Sequence, residues 1–147
     1  KVPDHLRSAE WRRSSALVDV VAVLTAANPA RPAGELTPAA AALWLEQREA
    51  GTTAAVGELY TKNCAACHGA RGAGDGPAAV DASTTPAAFT VATLAGRRSD
   101  VLYAKIRRGG MGTGMPNFGT LFTPDESWAM VDYLWLLALD ATAPAGD

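Results

Sequence analysis

The chain has 147 residues and a mass of 15.2 kDa, the size of one domain or of a small domain with a long extension. Alanine supplies 31 residues, whereas leucine, isoleucine, valine and phenylalanine together supply only 28, so the aliphatic side chains alone would build a thin core. The net charge of −2 disfavours a nucleic-acid partner, the recurring apolar segments disfavour a disordered chain, and no segment has the ~20 apolar residues that cross a bilayer.

The first 52 residues predict two amphipathic helices. One spans about residues 8–27, where apolar side chains recur at the spacing of one helical face: Leu17, Val20, Val21 and Leu24. The other spans about residues 37–50 and opens on a Thr-Pro pair, as cap and first-turn proline. Because short helices cannot each bury a face alone, we expect residues 1–52 to be an extension that packs on residues 53–147, with a partner interface as the alternative.

Residues 53–147 predict three further helices. The first covers about residues 53–63, and the second starts at Ser99 as its N-cap and is closed by a Gly-Gly pair. Between them, residues 69–97 are rich in Gly, Pro, Ala, Ser and Thr and are typical of a loop. The last helix follows a capping box with proline at the first helical position, in the string Thr123-Pro124-Asp125-Glu126.

The only two cysteines stand three positions apart and are followed at once by a histidine: Cys64, Cys67 and His68. This C-x-x-C-H string is the attachment signature of c-type haem. Two thiols on one turn can add to the two vinyl groups of the porphyrin, and the adjacent imidazole can then bind the iron. One such string predicts one covalent haem c, and a large apolar disc would also supply the bulk that the core lacks.

Other interpretations explain less. A structural zinc site wants four ligands, and the motif offers three with only His5 in reserve. A thioredoxin-like redox pair requires a βαβ setting, and the sequence has almost no strand pattern. A structural disulfide would leave His68 unexplained.

The sixth ligand of the iron is predicted to be Met115. Its thioether is a soft, neutral ligand that raises the reduction potential, and Pro116 directly after it stiffens the segment that carries it. Met111 lies in a similar glycine-rich context but has no proline after it. Met130 has the helical spacing of a core residue, and His5 lies near a chain end.

Residues 53–139 resemble the class I c-type cytochromes, whose elements occur here in the family's order. The matching strings are Cys64-Ala65-Ala66-Cys67-His68-Gly69, Gly72-Ala73-Gly74-Asp75-Gly76-Pro77, Ile106-Arg107-Arg108-Gly109-Gly110 and Met115-Pro116-Asn117-Phe118. The resemblance implies an all-α, cytochrome c-like fold around one covalent haem, here with a two-helix N-terminal extension.

The resemblance also implies roles for individual residues. The first and last helices of residues 53–147 would cross at Gly57, Tyr60 and Tyr133, and Phe118 would belong to the haem pocket. The carbonyl of Pro77 would accept a hydrogen bond from His68 Nδ1, which orients the ring. The arginines Arg107 and Arg108 are expected either to pair with haem propionates or to form a solvated helix end.

The function implied by the resemblance is one-electron transfer between a redox protein donor and an acceptor, one of which could be a membrane-bound complex. The resemblance also implies a periplasmic or otherwise extracytoplasmic location for the protein, because families with this motif receive haem after export. A removed signal peptide, a lost membrane anchor or a trimmed chain would each explain a start at Lys1. We expect a carrier rather than an enzyme. The alternatives are a haem module of a larger oxidoreductase complex and a haem peroxidase or small-ligand-binding protein.

Overall fold

Helices form most of the secondary structure of the chain. A computed structural model describes residues 1–52 and 54–140, and within those residues it contains eight α-helices and no strand. The helices are α1 Ala9–Arg13, α2 Leu17–Ala27, α3 Ala33–Gly51, α4 Ala54–Asn63, α5 Ala65–His68, α6 Val91–Leu94, α7 Ser99–Arg108 and α8 Pro124–Asp140. The prediction of an all-α fold is confirmed. Thr53 and residues 141–147, which the predicted haem domain includes, lie outside the described residues.

The N-terminal extension contains three helices rather than two. The helix expected over residues 8–27 is interrupted between α1 and α2, where Ser15 Oγ donates to the Trp11 carbonyl at 2.6 Å. Serine hydroxyls that bond nearby carbonyls compete with continued helix, and this is the physical reason for the break. None of the helices in the described part of the chain is long and apolar enough to span a membrane.

Two helix starts also differ from expectation. Helix α3 begins four residues before Thr37, so Pro38 lies inside the helix instead of in its first turn. Helix α7 has Arg98 at its N-cap, and Ser99 is the first helical residue. By contrast, the predicted capping box of α8 is confirmed, because the Glu126 amide donates to Thr123 Oγ1 at 3.1 Å and the Thr123 amide donates to Glu126 Oε1 at 3.0 Å.

Helix α8 connects the extension to the rest of the chain, because α3 and α4 both pack against it. On one side α3 contacts it through Trp44 and Trp135, both buried, with ring centroids 5.6 Å apart at 82°. On another side α4 crosses it where Gly57 leaves room for the ring of Tyr133, and Tyr60 lies 5.1 Å from the same ring. The extension therefore packs on the rest of the chain, and the three expected crossing residues do meet.

A buried ion pair lies between α3 and α8. Arg48 Nη1 donates to Asp132 Oδ1 at 2.7 Å, and Arg48 Nη2 donates to Ser99 Oγ at 2.8 Å. Burial raises the pKa of Asp132 and lowers that of Arg48 to about 10, because loss of hydration outweighs the attraction between the two charges. This pair joins the extension to α8 and to the start of α7.

Candidate functional site

The two cysteines and the histidine share one helical turn. Helix α4 ends at Asn63, and α5 follows at once, with the His68 amide donating to the Cys64 carbonyl at 2.9 Å. Both thiols are free and half-buried. Burial raises the pKa of Cys64 to about 11, and the neighbouring Cys67 adds to the rise, so the Cys64 thiol is protonated at neutral pH. The turn thus presents two thiols and an imidazole side by side.

The imidazole of His68 is held by a loop far along the chain. Its Nδ1–H donates to the carbonyl of Ala87 at 2.9 Å, and its ring stacks on Phe89 with centroids 4.7 Å apart at 24°. The expectation from the resemblance that the Pro77 carbonyl accepts this hydrogen bond is therefore wrong. With Nδ1 engaged in this bond, Nε2 is the nitrogen that could bind a metal.

Pro77 lies in a turn that packs directly against the cysteine motif. The Gly76 amide donates to the Cys67 carbonyl at 3.1 Å, and the Ala78 amide donates to the Ala66 carbonyl at 2.7 Å. A Cβ at Gly76 would overlap the carbonyl oxygens of α5, so only glycine permits this approach. The turn thereby donates backbone amides to carbonyls of the cysteine motif, whereas the segment that contains Ala87 supplies the acceptor for the imidazole.

Tyr60 supports the turn that follows His68. Its side chain is buried, and its hydroxyl donates to the Gly69 carbonyl at 2.7 Å. Burial, with a smaller contribution from Cys64, raises the pKa of the phenol above its ordinary value. Tyr60 consequently acts in this structure as a fixed hydrogen-bond donor that ties α4 to the end of the motif.

Replacing Tyr60 with phenylalanine should lower the free energy of unfolding by roughly 1–3 kcal/mol, because the buried Gly69 carbonyl loses its donor. Thermal or denaturant unfolding followed by circular dichroism measures the change. The matched control is Tyr103→Phe, which removes a hydroxyl from a half-buried ring that stacks on Trp128. Equal losses in the two variants would show that the Tyr60 hydrogen bond contributes nothing particular.

Met115 lies at the base of a glycine-rich turn, which we call the methionine turn (residues 110–115). The Gly110 amide donates to the Met115 carbonyl at 3.2 Å, and Thr113 Oγ1 donates to the Gly110 carbonyl at 2.7 Å. Met111, near the tip, is fully exposed, whereas Met115 is half-buried and packs against the hydrophobic core. The turn therefore places the predicted ligand, Met115, against the core and leaves Met111 in solvent.

The segment after the methionine turn is anchored in the core. Phe118 is buried, stacks on Phe122 with centroids 5.1 Å apart, and its amide donates to the Ile106 carbonyl at 3.2 Å. Pro116 is exposed, and its carbonyl approaches Gly109 so closely that a Cβ there would lie 2.6 Å away. The loop that follows the cysteine motif also reaches this region, since a Cβ at Gly114 would lie 3.8 Å from Ser83 Oγ.

Haem c fits the residues present. The donor set is two thiols at one-turn spacing, an imidazole oriented through Nδ1 and a half-buried thioether. His5, the reserve ligand of the zinc interpretation, is exposed and lies 5.5 Å from the Trp11 ring within the extension. The sequence missed Ala87 as the acceptor for His68, since no local motif marks an acceptor that a distant segment supplies.

An all-α fold that carries both a C-x-x-C-H turn and a methionine-bearing glycine turn is typical of a c-type cytochrome domain. Residues 51–134 match the family model described as "Cytochrome C oxidase, cbb3-type, subunit III". Because the match covers more than half of the 147 residues, the chain belongs to this family of c-type haem electron-transfer proteins. No curated protein and no solved structure gives a match.

Proposed function

We propose that this chain binds a single haem c through thioether bonds from Cys64 and Cys67, with His68 and Met115 as axial ligands, and that it carries one electron at a time between redox proteins. The observation that carries the proposal is the turn of α5, where both free thiols adjoin an imidazole whose Nδ1 is already bonded. The family match supports the same cofactor.

The proposed division of labour follows from the contacts of each residue. Haem c, when bound, supplies a one-electron ferric–ferrous couple. The Ala87 carbonyl fixes the tautomer of His68 and makes Nε2 more basic. The methionine turn presents the Met115 thioether, a neutral ligand that favours the reduced state. The buried Phe118 and Phe89 rings exclude water from the surroundings.

A carrier is the function that this ligand set supports over a catalyst. Peroxidase chemistry requires an open iron position and an acid–base group within hydrogen-bond reach of bound peroxide. Here a thioether occupies the proposed sixth position, and the second histidine of the chain, His5, contacts Trp11 in the extension. We place the protein outside the cytoplasm, where c-type domains receive haem, with residues 1–52 as an extension packed on the haem domain of residues 53–147.

The family description favours one second candidate, a haem module within a larger oxidoreductase complex. The matching model is described as a subunit of a cytochrome c oxidase, so this chain would pass electrons inside an assembly instead of between freely diffusing proteins. Affinity purification of the chain from detergent-solubilised cells separates the two hypotheses: stoichiometric recovery with oxidase subunits supports the module, and recovery of the chain alone supports the carrier.

Covalent attachment is tested by replacing Cys64 and Cys67 with alanine, singly and together. We expect the unmodified protein to retain one haem per chain after denaturation in acid and organic solvent, and the double variant to retain none, since both thioether bonds are lost. Intact-mass spectrometry and the pyridine haemochrome spectrum measure this. Haem that is extracted freely from the unmodified protein would refute the proposal.

A further inference from the structure

Arg107, in the last turn of α7, makes three hydrogen bonds to the segment that follows the methionine turn. Its Nη1 donates to the Phe122 carbonyl at 3.0 Å and to Ser127 Oγ at 3.1 Å, and its Nη2 donates to the Gly119 carbonyl at 3.1 Å. All three acceptors are neutral, and Ser127 is fully buried. The half-buried guanidinium therefore uses its fork of donors to close a loop.

The backbone of α7 reinforces the same closure. The Gly119 amide donates to the Arg107 carbonyl at 2.9 Å, and a Cβ at Gly119 would lie only 2.7 Å from that oxygen. Helix ends leave carbonyls without intrahelical partners, and here the loop after Met115 supplies the donors. The side chain and the backbone carbonyl of Arg107 thus both form hydrogen bonds with the loop after Met115.

The guanidinium also lies near an aromatic ring. Its Cζ lies 5.7 Å from the ring centroid of Tyr103, and that ring stacks on Trp128 of α8 with centroids 4.1 Å apart. A planar guanidinium beside an aromatic ring keeps a preferred orientation that an ammonium would not keep.

The position of Met115 depends on anchors on both sides of it. On one side the Gly110–Met115 pairing closes the methionine turn, and on the other side the Arg107 contacts hold residues 119–127. The stretch between the two anchors contains the exposed Pro116 and the buried Phe118, whose amide donates to the Ile106 carbonyl at 3.2 Å. Releasing the Arg107 contacts would leave Phe118 as the remaining core contact of this stretch, so the Met115 segment should open more often while α7 and α8 remain in place.

We propose that Arg107 is a positioning residue that holds the Met115 segment closed, and this inference rests on the proposed ligation of haem by Met115. Arg107 is not a solvated helix end, since its Nη1 and Nη2 donate to three acceptors in residues 119–127. Its pairing with a haem propionate stays a prediction. Arg108, the next residue, is exposed and makes none of these hydrogen bonds.

The test compares Arg107→Gln with Arg108→Gln, which removes the same charge from the same helix end. In the haem-loaded ferric protein, binding of added imidazole reports how often the Met115 segment opens. We expect Arg107→Gln to accelerate imidazole binding by about tenfold, the factor that corresponds to losing roughly 1.4 kcal/mol of charge-assisted hydrogen bonding. Arg107→Lys should give an intermediate rate, because one ammonium cannot reach all three acceptors.

Two further measurements exclude a merely structural role. Amide hydrogen exchange over residues 110–122 should accelerate in Arg107→Gln and stay unchanged in Arg108→Gln. Val20→Ala, which removes methyl groups from a buried side chain of the extension, should lower the melting temperature without accelerating imidazole binding.

The outcomes separate the inference from the function on which it rests. Absence of the ferric methionine–iron absorption band in the unmodified protein would refute the proposed ligation, and hydrogen exchange would still report whether Arg107 holds the segment. With that band present, equal rates in Arg107→Gln and Arg108→Gln would overturn the inference. An acceleration in Val20→Ala as large as that in Arg107→Gln would overturn it as well.

Discussion

Replacing Met115 with alanine is expected to lower the reduction potential of the haem-loaded protein by on the order of 0.1–0.3 V, a fraction of the ~0.8 V range that axial ligands span. Loss of the thioether would remove the proposed ligand, which stabilises the reduced state. The same variant should bind added cyanide in the ferric form and carbon monoxide in the ferrous form, whereas the unmodified protein should bind both slowly. Potentiometric titration and absorption spectroscopy measure these changes.

The matched control for this prediction is Met111→Ala. The two methionines are four residues apart on the same glycine-rich segment, but Met111 is fully exposed and Met115 packs against the core. Met111→Ala should therefore leave the potential and the spectrum unchanged. A shift of the reduction potential in Met111→Ala with none in Met115→Ala would identify Met111 as the ligand and refute the assignment of Met115.

The second large effect is expected at the buried pair between α3 and α8. Asp132→Ala should lower the free energy of unfolding by about 3–5 kcal/mol, since the buried guanidinium of Arg48 loses the oxygen that accepts its Nη1 hydrogen bond, an acceptor that a protonated aspartate would keep. For a chain of this length the melting temperature should fall by on the order of 10 °C. Thermal unfolding of the haem-loaded protein measures the loss.

Replacing both partners should cost much less than replacing one. In Arg48→Met/Asp132→Leu no charge remains buried, and desolvation already outweighs attraction for this pair, as the raised pKa of Asp132 and the lowered pKa of Arg48 indicate. We expect the double variant to match or exceed the stability of the unmodified protein. A double variant as unstable as Asp132→Ala would show that the ion pair itself stabilises the packing of α3 on α8.

The pH dependence of this pair follows from the same shifts. An aspartate whose pKa is higher in the folded protein than in the unfolded chain binds its proton more tightly when folded. Its contribution to stability is therefore greatest below the pKa of the unfolded chain and declines as the pH rises through the folded pKa. Asp132→Asn, which stays neutral at every pH, should remove this part of the pH dependence in acid.

What the sequence alone determined are features that depend on residues within about one turn of each other. The spacing of Cys64, Cys67 and His68 marked the haem turn, and the capping box from Thr123 to Glu126 located the start of α8. Pro116 favoured Met115 over Met111 as the ligand, and this choice stays a prediction, with Met111 exposed and Met115 half-buried. Such features are legible because local backbone geometry relates near neighbours in nearly the same way in every helix or turn.

Only the tertiary structure decided which distant groups complete these local features. The acceptor for His68 Nδ1 comes from Ala87, 19 residues away, and not from Pro77. Arg48 finds Asp132 across 84 residues, and the pair reaches Ser99, which the sequence had suggested as a helix cap. The sequence does not show whether water or a distant residue is the hydrogen-bond partner of a given carbonyl, carboxylate or guanidinium. Its partner is selected by which helix faces pack together, because a buried polar group must be bonded by whatever the packing places within reach.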